Sequence, residues 1–398
     1  MNSQGRVDMV FRRILLLLLA LLLLGGCRRL AEGEYQVISD HVETSQNPET
    51  SGRIYEVHTY SSLKRAVQEL VNARAEDGVI RAVEYSGIIR DDVSKVCLEV
   101  TRSSPIGAYA VDYMTHTVSR ILTYEEISIH IHYKLSPEEI NAVRSVSSLN
   151  DFWLSVDEGL DSGAEFMALQ VVTLAVNDRN IRNYISTYYQ QHPDILLSLP
   201  DVSVSFYPSE EYVQKIITLN LDYHTSPEER ERMLKELRKR ANELTRDADS
   251  THPEETAMLC CLAVAKRLDH VSVRGKTAYD VLVSRSGNSE GCAMAYQLLC
   301  SMYGIPCQVI SGRLNSETHY WNLILLGTDY YHVDCSACVG NDLQAGFLKQ
   351  DRDLWGRYWW EPEYYPSAQG TLTADTVMQE YLSPKPTPSA GVRIVDLD

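Results

Sequence analysis

The sequence predicts an α+β fold, and three stretches carry that prediction. Ile127-Ser128-Ile129-His130-Ile131-His132-Tyr133 alternates apolar and polar residues, the period of a half-buried strand, and runs into Ser136-Pro137-Glu138-Glu139. Ninety residues on, Ile217 to Tyr223 alternates in the same way and runs into Ser226-Pro227-Glu228-Glu229. In both, serine caps a helix, proline takes its first position and the second glutamate closes a capping box. The third stretch reads as a helix from Ser289 to Tyr303, followed by strands over Cys307–Ser311, His319–Leu326 and Asp329–Asp334.

The chain opens with Arg12-Arg13 and an unbroken apolar run from Ile14 to Leu24. That run is too short for a bilayer-spanning helix, which needs about 20 residues, and has the length of a secretory h-region. Leu24-Gly25-Gly26-Cys27 resembles a bacterial lipobox, which implies a lipoprotein signal peptide over 1–26 and lipidation at Cys27. Residues 27–52 are polar and aperiodic and read as a flexible tether. The expected location is the extracytoplasmic face of a bacterial membrane, held by a lipid anchor.

The formal charge is −17, and the leader contributes Arg6, Arg12 and Arg13 against one Asp8, so its removal deepens the negative balance. Such a surface repels phosphates, which argues against nucleic acid as a partner. Of nine cysteines, Cys260-Cys261 sits in an apolar helix as core residues do, and Cys335-x-x-Cys338 has no second pair at zinc-site spacing. No metal and no cofactor is expected.

In order, Ser62–Arg74 reads as a helix with Leu63, Ala66, Val67, Leu70 and Val71 on one face. The strand at 127–133 puts Ser128, His130 and His132 on its wet face, two histidines without a third ligand. The two strand-to-helix joints suggest a two-fold repeat within an α+β region spanning 53–225. From Ser226 a long helix carries Met233, Leu234, Leu237, Ala241 and Leu244 as its apolar stripe, and a buried helix follows over 254–268. The last domain is placed at 226–383, with a loose tail over 384–398.

Within that domain Ser289 lies at a helix N-terminus, where free amides and the helix dipole favour a developing anion. Cys292, Tyr296, Leu299 and Tyr303 share the helical face below it. A loop is expected over Gly312–Thr318. The turn at Gly327-Thr328 makes a hairpin in which Asp334 falls opposite Trp321, diagonal to His319 on the same face, so that an acid can orient an imidazole. Aromatic residues cluster from Trp355 to Tyr365, read as packing or as a wall for a ligand.

Glu290-Gly291, Ala293, Ala295, Leu299, Gly304-Ile305, His319, Trp321-Asn322 and Tyr331-His332-Val333-Asp334 follow one another as in the transglutaminase-like superfamily, which this part of the chain resembles. The resemblance covers about 226–365. It implies a papain-type arrangement in which His319 and Asp334 serve a nucleophile at a helix start, with Trp321 and Asn322 at the cleft. The family's cysteine falls on Ser289, and Cys292 takes the place of the family's tyrosine. Three readings stay open for this cleft. The first is a pseudoenzyme, catalytically impaired and binding a peptide, protein or cell-wall ligand. The second is an acyl-transfer or peptidase site using Ser289, His319 and Asp334. The third has Cys292 as the nucleophile. A structural envelope lipoprotein is a fourth reading, outside catalysis and binding alike.

Overall fold

Residues 54–172, 175–209 and 213–383 are described by a computed structural model, and all lie in one unit, Ile54–Asp398. The leader, Cys27, the tether over 27–52 and the tail over 384–398 lie outside the described residues. Among the described residues no helix is long and apolar enough to cross a membrane.

The first module comprises β1 (Tyr55–Val57), α1 (Tyr60–Asn72), β2 (Asp77–Val83), α2 (Ile89–Ser103), α3 (Pro105–Ala110), β3 (Val111–Ile121), β4 (Tyr124–Tyr133) and α4 (Pro137–Asn141). Helix α1 starts at Thr59, whose hydroxyl accepts from Ser62 N, and it buries the five apolar residues whose spacing predicts it. The sheet runs β1-β2-β4-β3, with β1 parallel to β2 and the other pairs antiparallel. The second module comprises β5 (Arg144–Val146), α5 (Leu149–Ser162), β6 (Phe166–Val172), α6 (Asp178–Gln191), β7 (Asp201–Tyr207) and β8 (Gln214–Asp222), and leads into α7 (Pro227–Leu244). Its sheet runs β5-β6-β8-β7 with the same senses.

The likeness extends to individual hydrogen bonds. Tyr133 donates its hydroxyl to Ala75 O at 3.1 Å, and Tyr223 donates to Ala164 O at 3.2 Å. Burial, first, pushes both phenols up to about 12. Ile131 N donates to Glu76 O, and Leu221 N to Glu165 O. Just before each clamp the chain turns through a left-handed residue, Arg74 (φ 57°) or Gly163 (φ 68°). The two helix starts differ in one respect. Ser136 and Glu139 close a full capping box, whereas the Glu229 carboxylate turns away from Ser226 to Arg232, 2.6 Å off. A guanidinium one turn ahead offers a charge-assisted bond that a lone backbone amide does not match.

The second module is covered on both faces. Ala168 and Ile216 join the core of the first module, and Ile217, Leu219 and Leu221 on the other face join the core of the C-terminal region. That region holds α8 (Pro253–Ala265), α9 (Ala278–Leu282), α10 (Ser289–Met302), β9 (Cys307–Leu314), β10 (Glu317–Leu326), β11 (Asp329–Val333), α11 (Leu343–Gly346), α12 (Asp351–Leu354), β12 (Tyr358–Trp359) and α13 (Ala374–Leu382). Its sheet is antiparallel throughout, in the order β11-β10-β9-β12. Helix α10 is central: every residue from Gly291 to Cys300 is buried, not only the face that periodicity picks out. Gly291 is where it passes a loop, since a Cβ there would lie 2.6 Å from Gly275 O.

Two sequence expectations change here. No loop spans Gly312–Thr318; β9 and β10 continue through it and turn at Asn315 (φ 50°) and Ser316 (φ 73°), a tight hairpin of two left-handed residues. And one hydrophobic core runs from Val146 to Val377, so it crosses the boundary that the helix start at Ser226 suggests. Helix α6 and the second sheet pack into the same core as α7, α8 and α10. A fragment beginning at Ser226 would expose that seam to water. It is expected to show no cooperative urea transition, whereas a fragment beginning at Ile54 should unfold in one; circular dichroism on both checks this.

Candidate functional site

The site forms where the N-terminus of α10 meets the first residues of β10. Asn288 caps α10, its side chain accepting from Gly291 N at 3.0 Å, so Ser289 becomes the first helical residue. The Ser289 hydroxyl accepts from Tyr320 N at 3.3 Å, which holds it against the strand one residue along from His319. Both side chains keep partial access to solvent.

The hairpin register matches the expectation. Leu326 pairs with Asp329 and Asn322 with Val333, and continuing that ladder sets Asp334 opposite Trp321. His319 Nε2 then lies 2.6 Å from Asp334 Oδ2. The carboxylate is enclosed. Ser336 N, Ser336 Oγ and Ala337 N donate to Oδ1, and Tyr358 donates its hydroxyl to Oδ2 at 2.7 Å. Burial by itself would raise this acid, yet the bonds from His319, Ser336 and Tyr358 hold it below the ordinary carboxylate value. An ionised Asp334 only accepts, so His319 donates to it from Nε2. The acid thereby holds the imidazole in place from behind.

The sign of the linkage follows from the lowered acid. Asp334 stabilises the fold above the unfolded-chain value of about 3.8, and that stabilisation is lost as pH falls through the lower folded value. Asp334→Asn is therefore expected to cost about 2 kcal/mol at pH 7, with the gap to wild type closing only below about pH 4; urea midpoints across pH 2–7 measure it.

Cys292 is 1 % exposed and lies inside the core, and burial, then Asp334, then Cys338 push its thiol up. It has neither the access nor the ionisation that a nucleophile needs. Trp321 and Asn322 are likewise buried, at 1 % and 0 % exposure, and support the site from beneath instead of lining an open cleft. Asn322 Nδ2 donates to Ala293 O at 3.0 Å and so ties β10 to α10. Trp321 Nε1 donates to His332 Nδ1 at 3.1 Å, and His332 Nε2 lies 2.9 Å from Asp351 Oδ1. With Nδ1 accepting, His332 must donate from Nε2, and burial lowers its pKa so that it stays neutral. The Trp321 ring in turn stacks beside His319, centroids 6.1 Å apart.

The sequence assigns Tyr358 and His332 no role in the site. Tyr358 lies 24 residues past Asp334 in an aromatic-rich stretch, and only the pairing of β12 with β9 brings it back. Gly312 permits that pairing. A Cβ there would meet Trp359 O at 2.3 Å and the Trp321 ring at 2.6 Å.

A model of the transglutaminase-like superfamily matches residues 238–335, a span that takes in Ser289, His319 and Asp334. This part of the chain is a transglutaminase-like domain. Among solved structures, one described as "Crystal structure of a TGase" is similar at 12% identity and a TM-score of 0.24, over 52% of this chain and 62% of that one. The chain thus spans less than two thirds of that structure's length. No curated protein matches.

Around the transglutaminase-like site, no cluster of His, Cys, Asp and Glu among the described residues is arranged to hold a metal ion. Cys335 and Cys338 are buried, and Cys335 Sγ approaches Cys261 Sγ at 3.5 Å; all eight described cysteines are free. His130 and His132 border a cavity of about 680 Å³ on the first module, where His130 Nδ1 pairs with Asp77 at 2.7 Å. That cavity shares no residue with Ser289, His319 or Asp334.

Proposed function

We propose that the transglutaminase-like domain binds a peptide segment of a protein or cell-wall ligand across the N-terminus of α10, and that serine in place of the family's cysteine impairs turnover. The observation that carries this is the enclosed His319–Asp334 pair beside an accessible Ser289. The acid is held ionised by several donors, an arrangement that a scaffold alone does not require. A thiol beside such a base ionises readily, since its free pKa is about 8.5 and falls near a cation. A serine hydroxyl must instead lose its proton during attack.

A second reading is favoured by the same 2.6 Å bond. An acid bonded to the far side of the imidazole is the support that a working Ser-His-Asp triad needs, which would make the domain an acyl-transfer enzyme or peptidase. In that reading Ser289 Oγ attacks a carbonyl, His319 Nδ1 takes its proton and returns it to the leaving amine, and Asp334 steadies the imidazolium. The N-terminal amides of α10 stabilise the oxyanion.

Turnover of a peptide-amide library separates the two. Hydrolysis or transfer that disappears in Ser289→Ala supports the triad, while ligand binding retained in Ser289→Ala with no turnover in either protein supports the binder. The proposed setting is a membrane surface, with Cys27 acylated, as Leu24 to Cys27 suggests. Unchanged membrane partitioning of Cys27→Ser would overturn the anchor.

A further inference from the structure

A recess of about 620 Å³ opens beside the triad, lined by Arg313, Asn315, Ser316, Arg357, Tyr358 and Trp359. Tyr358 belongs to both places, since its hydroxyl bonds Asp334 while its strand forms the recess wall. Burial and then Asp334 push that phenol up, with Arg357 pulling the other way, so the Arg357 charge is felt at the triad's edge. The recess is held in shape by backbone. The Asn315-Ser316 turn is anchored by Asn315 N donating to Arg357 O at 2.9 Å, and Trp359 is paired with Arg313 across β12 and β9.

Its charge runs against that of the protein. The chain carries −17 overall, yet two guanidinium groups line this one recess. Among the described residues neither has a carboxylate at ion-pairing distance. The cross-strand neighbours of Arg313 are Thr318 and Trp359, both uncharged. Trp359 is 57 % exposed, a large aromatic surface left to water beside two cations. Paired arginines suit the two oxygens of a carboxylate, and an exposed indole suits the apolar or peptide part of the same ligand.

We propose that this recess is a subsite for an acidic residue of the bound peptide, with Arg313 and Arg357 taking the carboxylate and Trp359 covering the adjoining chain. The assignment rests on the reading of the cleft as a peptide site. It adds the substrate class: peptides bearing a carboxylate that reaches beyond β12 while the backbone passes Ser289. Attraction by two local cations also gives a way for an acidic ligand to approach an acidic protein.

The test uses two coumarin-labelled, C-terminally amidated peptides, Gly-Asp-Gly-Asp-Gly and Gly-Asn-Gly-Asn-Gly, read by fluorescence anisotropy at 50 mM salt. The aspartate peptide is expected to bind at least tenfold more tightly. Arg313→Ala with Arg357→Ala should remove that preference, and 500 mM salt should weaken it. Both arginines are exposed, so the variant should keep the wild-type urea midpoint. Equal binding of the two peptides, or a preference that survives the double substitution, overturns the proposal. So does displacement of the aspartate peptide by inorganic phosphate at a lower concentration than by acetate, which would make the recess a phosphate site. Electrophile labelling of Ser289→Cys reports the triad separately. Lost peptide preference with labelling intact sinks only the recess; intact preference without labelling sinks only the triad.

Discussion

Ser289→Cys is expected to create a thiol that reacts with iodoacetamide at pH 7 faster than the same thiol in a His319→Ala background, by at most about thirtyfold. That ceiling is the ratio of thiolate fractions between a fully ionised and a free thiol, since the helix dipole and the Tyr320 amide remain in the His319→Ala background. A free cysteine near pKa 8.5 is about 3 % ionised at pH 7, and one drawn well below 7 is almost fully so. Three features of the site lower the pKa of the introduced thiol. Residue 289 is the first residue of α10, where the dipole favours an anion. The imidazole on the residue before Tyr320 is oriented through Nε2 by a buried, ionised Asp334. And the Tyr320 amide already donates to the atom at this position. The swap exchanges one atom, so packing at the turn should tolerate it. Mass spectrometry of the peptide containing residue 289 gives the rate without interference from other cysteines. Equal rates in the two backgrounds would mean that His319 does not reach residue 289. His319-dependent labelling at Cys292 in the wild type would reverse the assignment of the nucleophile.

Trp321→Ala is expected to cost about 4 kcal/mol of stability, read as a shift in the urea midpoint at constant slope. The indole is 1 % exposed and packs with Ile310, Leu323, Leu354 and Trp360, so its removal leaves a cavity. It also leaves His332 Nδ1, a buried acceptor, without its donor. Trp321→Phe keeps most of the volume and loses only the hydrogen bond, so it should cost about 1–2 kcal/mol more than packing alone would suggest. The pair distinguishes a support from a cleft residue. If Trp321→Ala weakens ligand binding while the urea midpoint stays put, the indole touches ligand and the burial argument fails.

Much of the site was open to reading because its parts obey short-range rules. The hairpin at Gly327-Thr328 has a register that follows from counting, and that count puts Asp334 across from Trp321 and so within reach of His319. Helix α10 begins at Ser289, as its sequence pattern suggests, because a helix start depends on one side chain, here Asn288, and the first free amides. The joints at Ser136 and Ser226 are local in the same sense, and they point to two modules whose sheets have one strand order.

The turn at Asn315-Ser316 escaped because neither residue is glycine, and two successive left-handed residues are costly enough that a loop was the better local reading. The paired strands around it stabilise that turn, and no local signal reports their pairing. Tyr358 escaped for a related reason. Its bond to Asp334 depends on β12 adding to the edge of β9, a two-residue strand too short to show any period.

By itself the sequence determined the class of fold, the helix that carries Ser289 and the pairing of His319 with Asp334 across the hairpin, since these rest on period, caps and register within a few residues. Only the tertiary structure decided what is buried and what is reachable. It put Cys292 and Trp321 in the interior, left Ser289 part-exposed, and joined the second module and the C-terminal helices in one core. The physical reason is that burial depends on what packs from elsewhere in the chain. A cysteine on an apolar helical face and a serine one turn above it differ little in local pattern, and only the strand, loop and helix laid across them make one a core residue and the other a candidate nucleophile.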